Sequence, residues 1–380
     1  MSKILIINYF FGDDRVPTAR MVNDICLELK KKKEDFRVFC SKTNYKNIIS
    51  NGRKKTYEIN SHRFFNFKLI NYLIFYLSAI LHICNSKYNK ILILTDPPFF
   101  IFFSPIIKFF NPKSEIIYWT MDLYPEALRA SKIFILNNVI IFKILKFIKN
   151  FSLKYVDKMI NLGSGQKAVF NNYSNSKKIK TYISHPWDLR LIKKIEKKAK
   201  YKFLKKYNFI NKKIVLYAGN IGLAHSINTL VDLINFSEKK KMELFFVFAC
   251  KGKNKKKLYN QLKSKKNVLI TEYFSSKETA QLLGTAYCHI ITLENDWADI
   301  VYPSKLFGII KTKKPVIFIG PTKSDIAKLI RKKKYGKVFR NGEKPYKILK
   351  SIEFLSNKSS LNRISNYDKN PMEIVKFMLK

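Results

Sequence analysis

Short apolar segments that alternate with helical segments are the feature that most constrains how this chain can fold. Near the start, an apolar segment at 3–8 is followed by Gly12 and Pro17, a helical pattern over 18–31, and a second apolar segment at 36–40. A strand, a helix and a strand in this order predict a parallel sheet covered by helices. We therefore expect an α/β fold.

The same pattern begins again in the second half, where loops and helical segments separate further apolar segments. These are 214–218, 244–249, 268–271, 289–293 and 315–319. A length of 380 residues also favours two domains, because single hydrophobic cores rarely grow beyond about 250 residues. We predict two facing Rossmann-like domains with a cleft between them, over 1–188 and 189–365, and a last helix at 366–380 that packs back on the first domain.

The net charge of the chain is strongly positive. Lys and Arg number 73 against 27 Asp and Glu, a formal net charge of +46, and 47% of the residues are hydrophobic. So large a hydrophobic share excludes a disordered polycation. The charge favours an anionic partner, and the lack of a nucleic-acid-binding motif favours a membrane surface over nucleic acid. A general enrichment in Lys, Asn and Ile is the alternative source of the charge.

Two stretches combine basic or polar residues with large apolar ones, as helices on membrane surfaces do. Segment 133–153 places three lysines three residues apart among Ile, Phe and Leu, and an ordinary helix packed on the sheet is the alternative. The residues predicted to face the membrane are Lys143, Lys146, Lys149, Phe142 and Phe147. Segment 64–84 is apolar with polar interruptions, which favour a membrane-lying or core helix over a membrane span.

The start of the chain and its five cysteines bear on location and metal binding. The opening residues MSKILIINYF are too short an apolar stretch for a signal peptide and predict a buried strand. The cysteines are far apart in the sequence, so neither a disulfide framework nor a zinc site is expected. We expect a cytoplasmic protein, peripheral on the inner face of the cell membrane.

Glycine is rare, with 12 residues, which makes the loop Gly219-Asn220-Ile221-Gly222 informative. It lies between a predicted strand and a predicted helix, where residues without Cβ let the backbone approach a phosphate. A plain tight turn is the alternative. His225 follows the loop closely and is a candidate for the same site.

The segment Tyr302-Pro303-Ser304-Lys305 is a second candidate anion site. Ser304 is expected to be the N-cap of a helix, with Lys305 in the first turn. A lysine is disfavoured there because the helix dipole is positive, so a bound anion would explain it, whereas a solvated lysine is the alternative. Glu294 and Asp299 precede this segment and could accept hydrogen bonds from sugar or ribose hydroxyls.

Acidic residues also follow strands in the first half. Asp96 comes after the strand at 91–95 and Asp122 after the strand at 116–120. Open α/β sheets bind ligands at the carboxyl ends of their strands. Asp122 and Glu126 could be a base and its orienting partner, or a helix N-cap and a first-turn acid.

Three segments together resemble a known family. They are WTMDLYPE at 119–126, VLYAGNIG at 215–222 and ITLENDWADIVYPSKLFGIIKTKKPVIFIGP at 291–321. In this order they resemble bacterial glycosyltransferases of family 4, in the branch with a Pro-Ser-Lys motif that builds cell-surface polysaccharides or glycolipids. The resemblance covers essentially the whole chain.

This resemblance implies the GT-B fold, with the acceptor on the N-terminal domain and the nucleotide sugar on the C-terminal one. It also implies transfer of a hexosyl or N-acetylhexosaminyl group with retention and without an obligatory metal. The expected partners are a UDP- or GDP-linked sugar as co-substrate, a lipid-linked or glycolipid acceptor, and an anionic membrane surface. No other cofactor and no nucleic acid are expected.

The site assignment that results has three parts. The catalytic residues are Asp122, Glu126 and Lys305. The donor-binding residues are Gly219, Asn220, Gly222, His225, Lys251, Glu294, Asp299, Ser304 and Lys305. The acceptor-side residues are Gly12 and Asp96.

The chain departs from the family pattern at several positions. Met121 stands where many members have a histidine, and Gly308 stands at the usual second glutamate of the paired-glutamate motif. Leu223 replaces the basic residue that commonly follows the glycine loop. Lys305, with Lys251 as a further candidate, would then neutralise the diphosphate.

Two other functions fit the same residues. A nucleotide-sugar epimerase of the same fold would also need acids in a cleft but no membrane face. A basic nucleic-acid-binding protein, from a different class, would use the charge directly and would bind with a steep dependence on salt.

Overall fold

The computed structural model describes residues 3–12, 16–41, 58–61, 68–133, 138–188, 197–272, 274, 276–356 and 367–380. Parts of the predicted segments, at 64–67 and 134–137, and the start of the predicted second domain, at 189–196, lie outside the described residues. The chain divides into two units, of which unit 1 comprises Met1–Trp187, Ile300–Tyr302 and Tyr367–Lys380. Unit 2 comprises Asp188–Asp299 and Pro303–Asn366.

Unit 1 is built on a parallel sheet of seven strands. These are β1 (Lys3–Ile7), β2 (Asp35–Ser41), β3 (Glu58–Ser61), β4 (Lys90–Leu94), β5 (Glu115–Trp119), β6 (Lys158–Asn161) and β7 (Lys180–Ile183). They are arranged in the order β3-β2-β1-β4-β5-β6-β7. Its helices include α1 (Pro17–Lys31), α2 (Lys68–Cys84), α3 (Ser104–Phe110), α4 (Glu126–Ala130), α5 (Val139–Leu153) and α6 (Ser164–Phe170).

Unit 2 is built on a parallel sheet of six strands. The strands are β8 (Lys213–Ala218), β9 (Leu244–Ala249), β10 (Val268–Thr271), β11 (Cys288–Thr292), β12 (Val316–Ile319) and β13 (Gly336–Phe339), in the order β10-β9-β8-β11-β12-β13. The helices are α7 (Lys197–Lys206), α8 (Asn228–Lys239), α9 (Lys255–Leu262), α10 (Ser276–Thr285), α11 (Lys305–Ile310), α12 (Asp325–Lys332) and α13 (Pro345–Ser356). The last helix of the chain, α14 (Asn370–Leu379), belongs to unit 1 and packs on α1.

Both sheets reverse their strand order beside the first strand, between β1 and β4 in unit 1 and between β8 and β11 in unit 2. All of their strand pairs are parallel, and the central strands are apolar and buried. This is the Rossmann topology, in which ligands bind at the carboxyl edge next to the reversal. The prediction of an α/β fold with two Rossmann-like units is confirmed.

The local sequence explains where helix α1 begins and ends and which side chains it buries. It begins at Pro17, whose fixed φ suits the first turn, and it buries Val22, Ile25 and Leu29 at helical spacing. It ends at Lys31, where a cation is favoured by the negative end of the helix dipole.

Helix α2 covers most of the long apolar segment noted above. It buries Phe75, Ala79 and Ile83 in the core of unit 1, while Leu73 and Leu77 on its other face are exposed. Within the described part of the chain, no helix is long and apolar enough to cross a membrane.

Candidate active site

Two glycines shape the carboxyl edge of unit 2. Gly219, after β8, has a φ of +132°, and Gly252, after β9, has a φ of +125°; L side chains rarely adopt such values. A Cβ at Gly252 would lie 2.7 Å from the carbonyl oxygen of Ile221 and would also collide with Asn220. Glycine is therefore required where these two loops pack together.

Lys305 lies against the first of these loops. Its Nζ donates to the Tyr217 hydroxyl at 2.8 Å and lies 4.0 Å from the centre of the Tyr217 ring. Its Cε lies 3.4 Å from the position that a Cβ on Gly219 would occupy, an ordinary van der Waals distance, so the lysine side chain packs directly against this glycine.

The electrostatic surroundings of Lys305 are unusual for a lysine. The side chain keeps partial access to solvent but is surrounded by protein, and this desolvation lowers the pKa of Lys305 to about 7. Among the described residues, no carboxylate forms an ion pair with it. Lys305 is therefore a cation, partly deprotonated near neutral pH, that a bound anion would stabilise in its charged form.

His225 lies close to Lys305 and is neutral. Burial, with the charge of Lys305 adding to it, lowers the pKa of His225 to about 3. Its Nδ1 lies 2.8 Å from the Thr292 carbonyl oxygen, which can only accept, so Nδ1 carries the proton. The other ring nitrogen, Nε2, is left as a potential acceptor for a ligand hydroxyl.

Of the other predicted donor-binding residues, Glu294 lies beside the glycine loop and Lys251 is engaged elsewhere. The amide of Glu294 donates to the Ala224 carbonyl oxygen at 2.8 Å, and its partly buried carboxylate has no partner among the described residues. Lys251 forms an exposed ion pair with Glu272 at 3.0 Å.

Asp299 and Ser304 both lie beside the N-terminus of a helix. The Oδ1 of Asp299 accepts the amide of Asp325 at 2.9 Å, so this carboxylate stabilises the N-terminus of α12. Ser304 directly precedes α11, as predicted for an N-cap, but its side chain makes no capping hydrogen bond.

Asp122 lies at the carboxyl edge of unit 1, where the ends of β4 and β5 are joined. The Oγ1 of Thr95 accepts the amides of Met121 and Asp122, both at 3.2 Å. The Asp122 carboxylate is exposed and has no partner among the described residues, yet desolvation by the surrounding protein raises the pKa of Asp122 to about 6. Gly12, a predicted acceptor-side residue, has a φ of +73° and open space in place of a side chain.

Glu126 is not available as a partner for Asp122, because its carboxylate is occupied. Lys149 Nζ donates to Oε2 at 3.0 Å, and the Tyr173 hydroxyl donates to Oε1. Lys149 is fully buried, and its Nζ lies 4.6 Å from the ring centres of both Phe170 and Tyr173. Although burial opposes it, the contact with Lys149 keeps the pKa of Glu126 low, so the pair is charged and structural.

The predicted membrane face of α5 is wrong at Lys149. Each step of three residues falls about 60° short of a full helical turn, so Lys143 and Lys149 point about 120° apart. Lys143 and Phe147 are exposed, Phe142 and Lys146 are half-buried, and Lys149 faces the core.

Replacing Glu126 by Gln is expected to lower the free energy of unfolding by about 3–5 kcal/mol, because it leaves the buried Lys149 charge unpaired. Chemical denaturation at pH 7 measures this. Glu373→Gln removes an exposed ion pair with Lys376 and serves as the control, with an expected loss below about 1 kcal/mol. Equal losses in the two variants would contradict the structural role of the Glu126–Lys149 pair.

Within the described part of the chain, no group of three His, Cys, Asp or Glu side chains is placed to hold a metal ion.

The two Rossmann-like units have the architecture of the GT-B fold, which several solved structures share. WaaG, described as a glycosyltransferase involved in lipopolysaccharide biosynthesis, matches over 99% of both chains with 13% identity and a TM-score of 0.71. HepE from Anabaena, solved in complex with UDP-glucose, matches over 100% of this chain and 95% of its own with 12% identity and a TM-score of 0.66.

A UDP-GlcNAc 2-epimerase from Methanocaldococcus jannaschii also matches, over 99% of both chains, with 12% identity and a TM-score of 0.60. At these identities the likeness shows the fold alone. A scan against protein-family models and a search of curated proteins gave no match.

Proposed function

We propose that this chain is a glycosyltransferase that moves a sugar from a nucleotide diphospho-sugar to a hydroxyl of a lipid-linked or glycolipid acceptor. Retention of configuration and independence of metal belong to the proposal and rest on the family resemblance. The observation that carries it is Lys305: a cation with no carboxylate partner among the described residues, held by Tyr217 against Gly219 at the carboxyl end of β8. The fold shared with WaaG and with UDP-glucose-bound HepE supports it.

Unit 2 would bind the donor. A diphosphate beside Lys305 gains negative charge as the bond between the sugar C1 and the phosphate oxygen breaks, and a fixed cation stabilises that charge. Glu294, without a partner among the described residues, is available to accept hydrogen bonds from sugar hydroxyls. The ribose would be bound differently from the family pattern, because Gly308 is buried in α11 where a glutamate is usual.

Unit 1 would bind the acceptor. Because the configuration is retained, the acceptor oxygen would form its bond to the sugar C1 on the same face from which the diphosphate leaves. The hydroxyl proton would move to the Asp122 carboxylate. A carboxyl group with a pKa of about 6 that solvent can reach is suited to this transfer near neutral pH.

An exposed apolar surface on unit 1 supports a membrane-bound acceptor. This surface, called the outer face below, consists of Leu69, Leu73, Leu77 and Leu81 of α2, Ile106 and Phe109 of α3, and Ile140, Ile144 and Phe147 of α5. Helix α3 packs against both α2 and α5, so the three helices are neighbours. Leu77 is 67% exposed, Phe109 80% and Phe147 74%. Exposed apolar side chains that are grouped on neighbouring helices mark an interaction surface, whereas isolated ones do not. Exposed Lys143 lies on the same helix as Phe147, as expected beside anionic headgroups.

Replacing both Leu77 and Phe147 by Glu is expected to lower binding to anionic lipid vesicles by at least about tenfold, because each change removes apolar contact and adds repulsion. Vesicle co-sedimentation measures the bound fraction. Leu27→Glu, at an exposed leucine of α1, is the control and should leave binding unchanged. Failure of the unmodified protein to bind anionic vesicles would contradict a membrane role for the outer face.

A thermal-shift screen against nucleotides and nucleotide sugars tests the donor half of the proposal. The matching nucleotide sugar should raise the melting temperature by several degrees, since 100 Kd of ligand stabilises a protein by about 2.7 kcal/mol. An epimerase, which the Methanocaldococcus neighbour favours, would give the same shift. It would be distinguished by conversion of the nucleotide sugar in the absence of any acceptor.

A further inference from the structure

Tyrosine hydroxyls and carboxylates come together at the carboxyl edge of unit 1. The Tyr72 hydroxyl donates to Asp96 Oδ1 at 3.4 Å, and the Tyr76 hydroxyl donates to the Pro98 carbonyl oxygen. Both tyrosines lie on α2, one turn apart, with ring centres 6.4 Å apart. The charge of Asp96 acts on both of them.

Tyr124 belongs to the same group, because it interacts electrostatically with Tyr72 and Tyr76. Its ring lies 5.3 Å from that of Phe99, edge to face, and Phe99 in turn lies 5.1 Å from Phe102. The charges of both Asp122 and Asp96 act on Tyr124, so both carboxylates lie near its hydroxyl.

The chemistry of this group is that of a sugar-binding site. Phe99 and Tyr124 are partly exposed, and aromatic rings offer an apolar surface for the C–H face of a sugar. Burial, and then the charge of the carboxylates, raises the pKa of Tyr72, Tyr76 and Tyr124, so all three remain neutral hydroxyls. Ionised carboxylates only accept hydrogen bonds, whereas tyrosine hydroxyls both donate and accept.

A phosphate would meet a different environment. It would be repelled by Asp122, whose carboxylate has no cationic partner among the described residues. The negative charge of Asp96 also acts on Tyr72, Tyr76 and Tyr124, and that of Asp122 acts on Tyr124. A neutral hydroxyl group can instead donate to the carboxylate and transfer its proton to it.

We propose that Tyr72, Tyr76, Asp96, Phe99, Asp122 and Tyr124, called the acceptor cluster, bind the terminal sugar ring of the acceptor. The nucleophile is then a carbohydrate hydroxyl, and the enzyme extends an existing glycan rather than adding a first sugar to a lipid phosphate. This inference rests on the proposed function and narrows its acceptor.

The acceptor hydroxyl, the nucleotide sugar and Asp122 are sufficient to balance the reaction. The acceptor hydroxyl oxygen forms a bond to the donor C1 and loses its proton to Asp122. The bond between C1 and the phosphate oxygen breaks, and its electron pair leaves with the nucleoside diphosphate.

The test compares two acceptor types with the same hydrophobic tail. One is a panel of farnesyl or alkyl glycosides, which carry a sugar and no phosphate, and the other is farnesyl phosphate. With the donor identified by the thermal-shift screen, transfer is expected to at least one glycoside, with a kcat/KM at least tenfold above that for farnesyl phosphate. Preferred transfer to farnesyl phosphate would overturn this inference and leave the proposed function standing.

Variants of the acceptor cluster provide a second readout. Phe99→Ala and Tyr124→Ala should each raise the KM for the glycoside at least tenfold and leave the KM for the donor within twofold. Tyr259→Ala, at an exposed tyrosine of α9, is the control and should change neither. An unchanged glycoside KM in both cluster variants would overturn the inference.

Direct binding measurements distinguish a failure of this inference from a failure of the proposed function. In ligand-observed NMR, glycosides should bind the unmodified protein and lose binding in Phe99→Ala, whereas inorganic phosphate should not compete. Absence of glycoside binding with intact donor binding would overturn the inference alone. Absence of any nucleotide-sugar binding would instead overturn the proposed function.

Discussion

Replacing Lys305 by Met is expected to lower sugar transfer by about 10²–10³-fold and, at the same time, to raise the melting temperature. The loss of rate follows because a fixed cation that stabilises the leaving diphosphate contributes a factor of this size. The gain in stability follows because folding places Lys305 in surroundings that lower its pKa to about 7 from the ordinary 10.5. An apolar side chain of similar length removes that cost, and we expect a gain of about 1–2 kcal/mol.

The gain in stability should depend on pH with a defined sign. The unfolded chain holds the Lys305 proton up to its ordinary pKa of 10.5, whereas the folded protein releases it at about 7. The destabilisation from Lys305 is thus fully present below pH 7 and disappears as the pH rises toward 10.5. The advantage of Lys305→Met should therefore be largest at or below pH 7 and shrink between pH 7 and 10.

Nucleotide-sugar affinity gives a second pH test of the same residue. Because a bound diphosphate favours protonated Lys305, affinity should be constant below pH 7 and fall by up to about tenfold per pH unit above it. Calorimetric titration at several pH values measures this, and Lys305→Met should remove the slope. Lys350→Met, at an exposed lysine of α13, is the control for both stability and affinity. Unchanged affinity in Lys305→Met would remove this residue from the donor site.

Replacing Asp122 by Asn is expected to lower kcat by about 10²–10⁴-fold with little change in donor affinity, because the amide cannot accept the acceptor proton. The pH dependence identifies the group. With a pKa of about 6 for Asp122 and about 7 for Lys305, kcat/KM should rise through pH 6 and fall above pH 7. Asp122→Asn should remove the acidic limb of this profile and Lys305→Met the alkaline limb.

The control for Asp122 is Asp35→Asn, at an exposed carboxylate at the start of β2, which should leave the profile intact. A nucleotide sugar should be used rather than a nucleotide with a terminal phosphate, because phosphate monoesters themselves titrate near pH 6. An acidic limb that persists in Asp122→Asn would assign the base to another group.

The sequence was sufficient to predict the fold and to single out several residues of the candidate site. Continuous apolar strands, each joined to the next through a helix, leave few alternatives to a parallel sheet, and glycine rarity marked the loop at Gly219. Lys305 stood out because a lysine is unfavourable at a helix start. Its partner Tyr217 could not be inferred, since the two residues are 88 positions apart in the chain and meet through the fold.

Most differences between the sequence predictions and the structure involve residues whose partners are distant in the chain. Glu126 and Lys149 each matched a functional pattern separately, as a paired acid and as a surface lysine. Their mutual ion pair depends on the phase of α5 and on where α4 lies, which local spacing does not fix. Asp299 is similar, because its capping contact is with Asp325, a residue 26 positions away.

The tyrosines of the acceptor cluster were not predicted as site residues from the sequence. Tyr72 and Tyr76 lie in an apolar helix, where tyrosine is usually a core residue, and Tyr124 lies between the two acids of WTMDLYPE. The one-turn spacing of the two tyrosines on α2 is visible in the sequence. Their role as site residues could be inferred only from the fold, because the topology of the sheet brings the carboxylate of Asp96 to the same edge.

The measurement that tests the central claim most directly is transfer of labelled sugar from a panel of nucleotide sugars to lipid-linked glycan acceptors, followed by analysis of the anomeric configuration of the product. We predict transfer from one nucleotide sugar, with retention, and a loss of about 10²-fold or more in both Lys305→Met and Asp122→Asn. No transfer from any donor, or conversion of the nucleotide sugar without an acceptor, would contradict it.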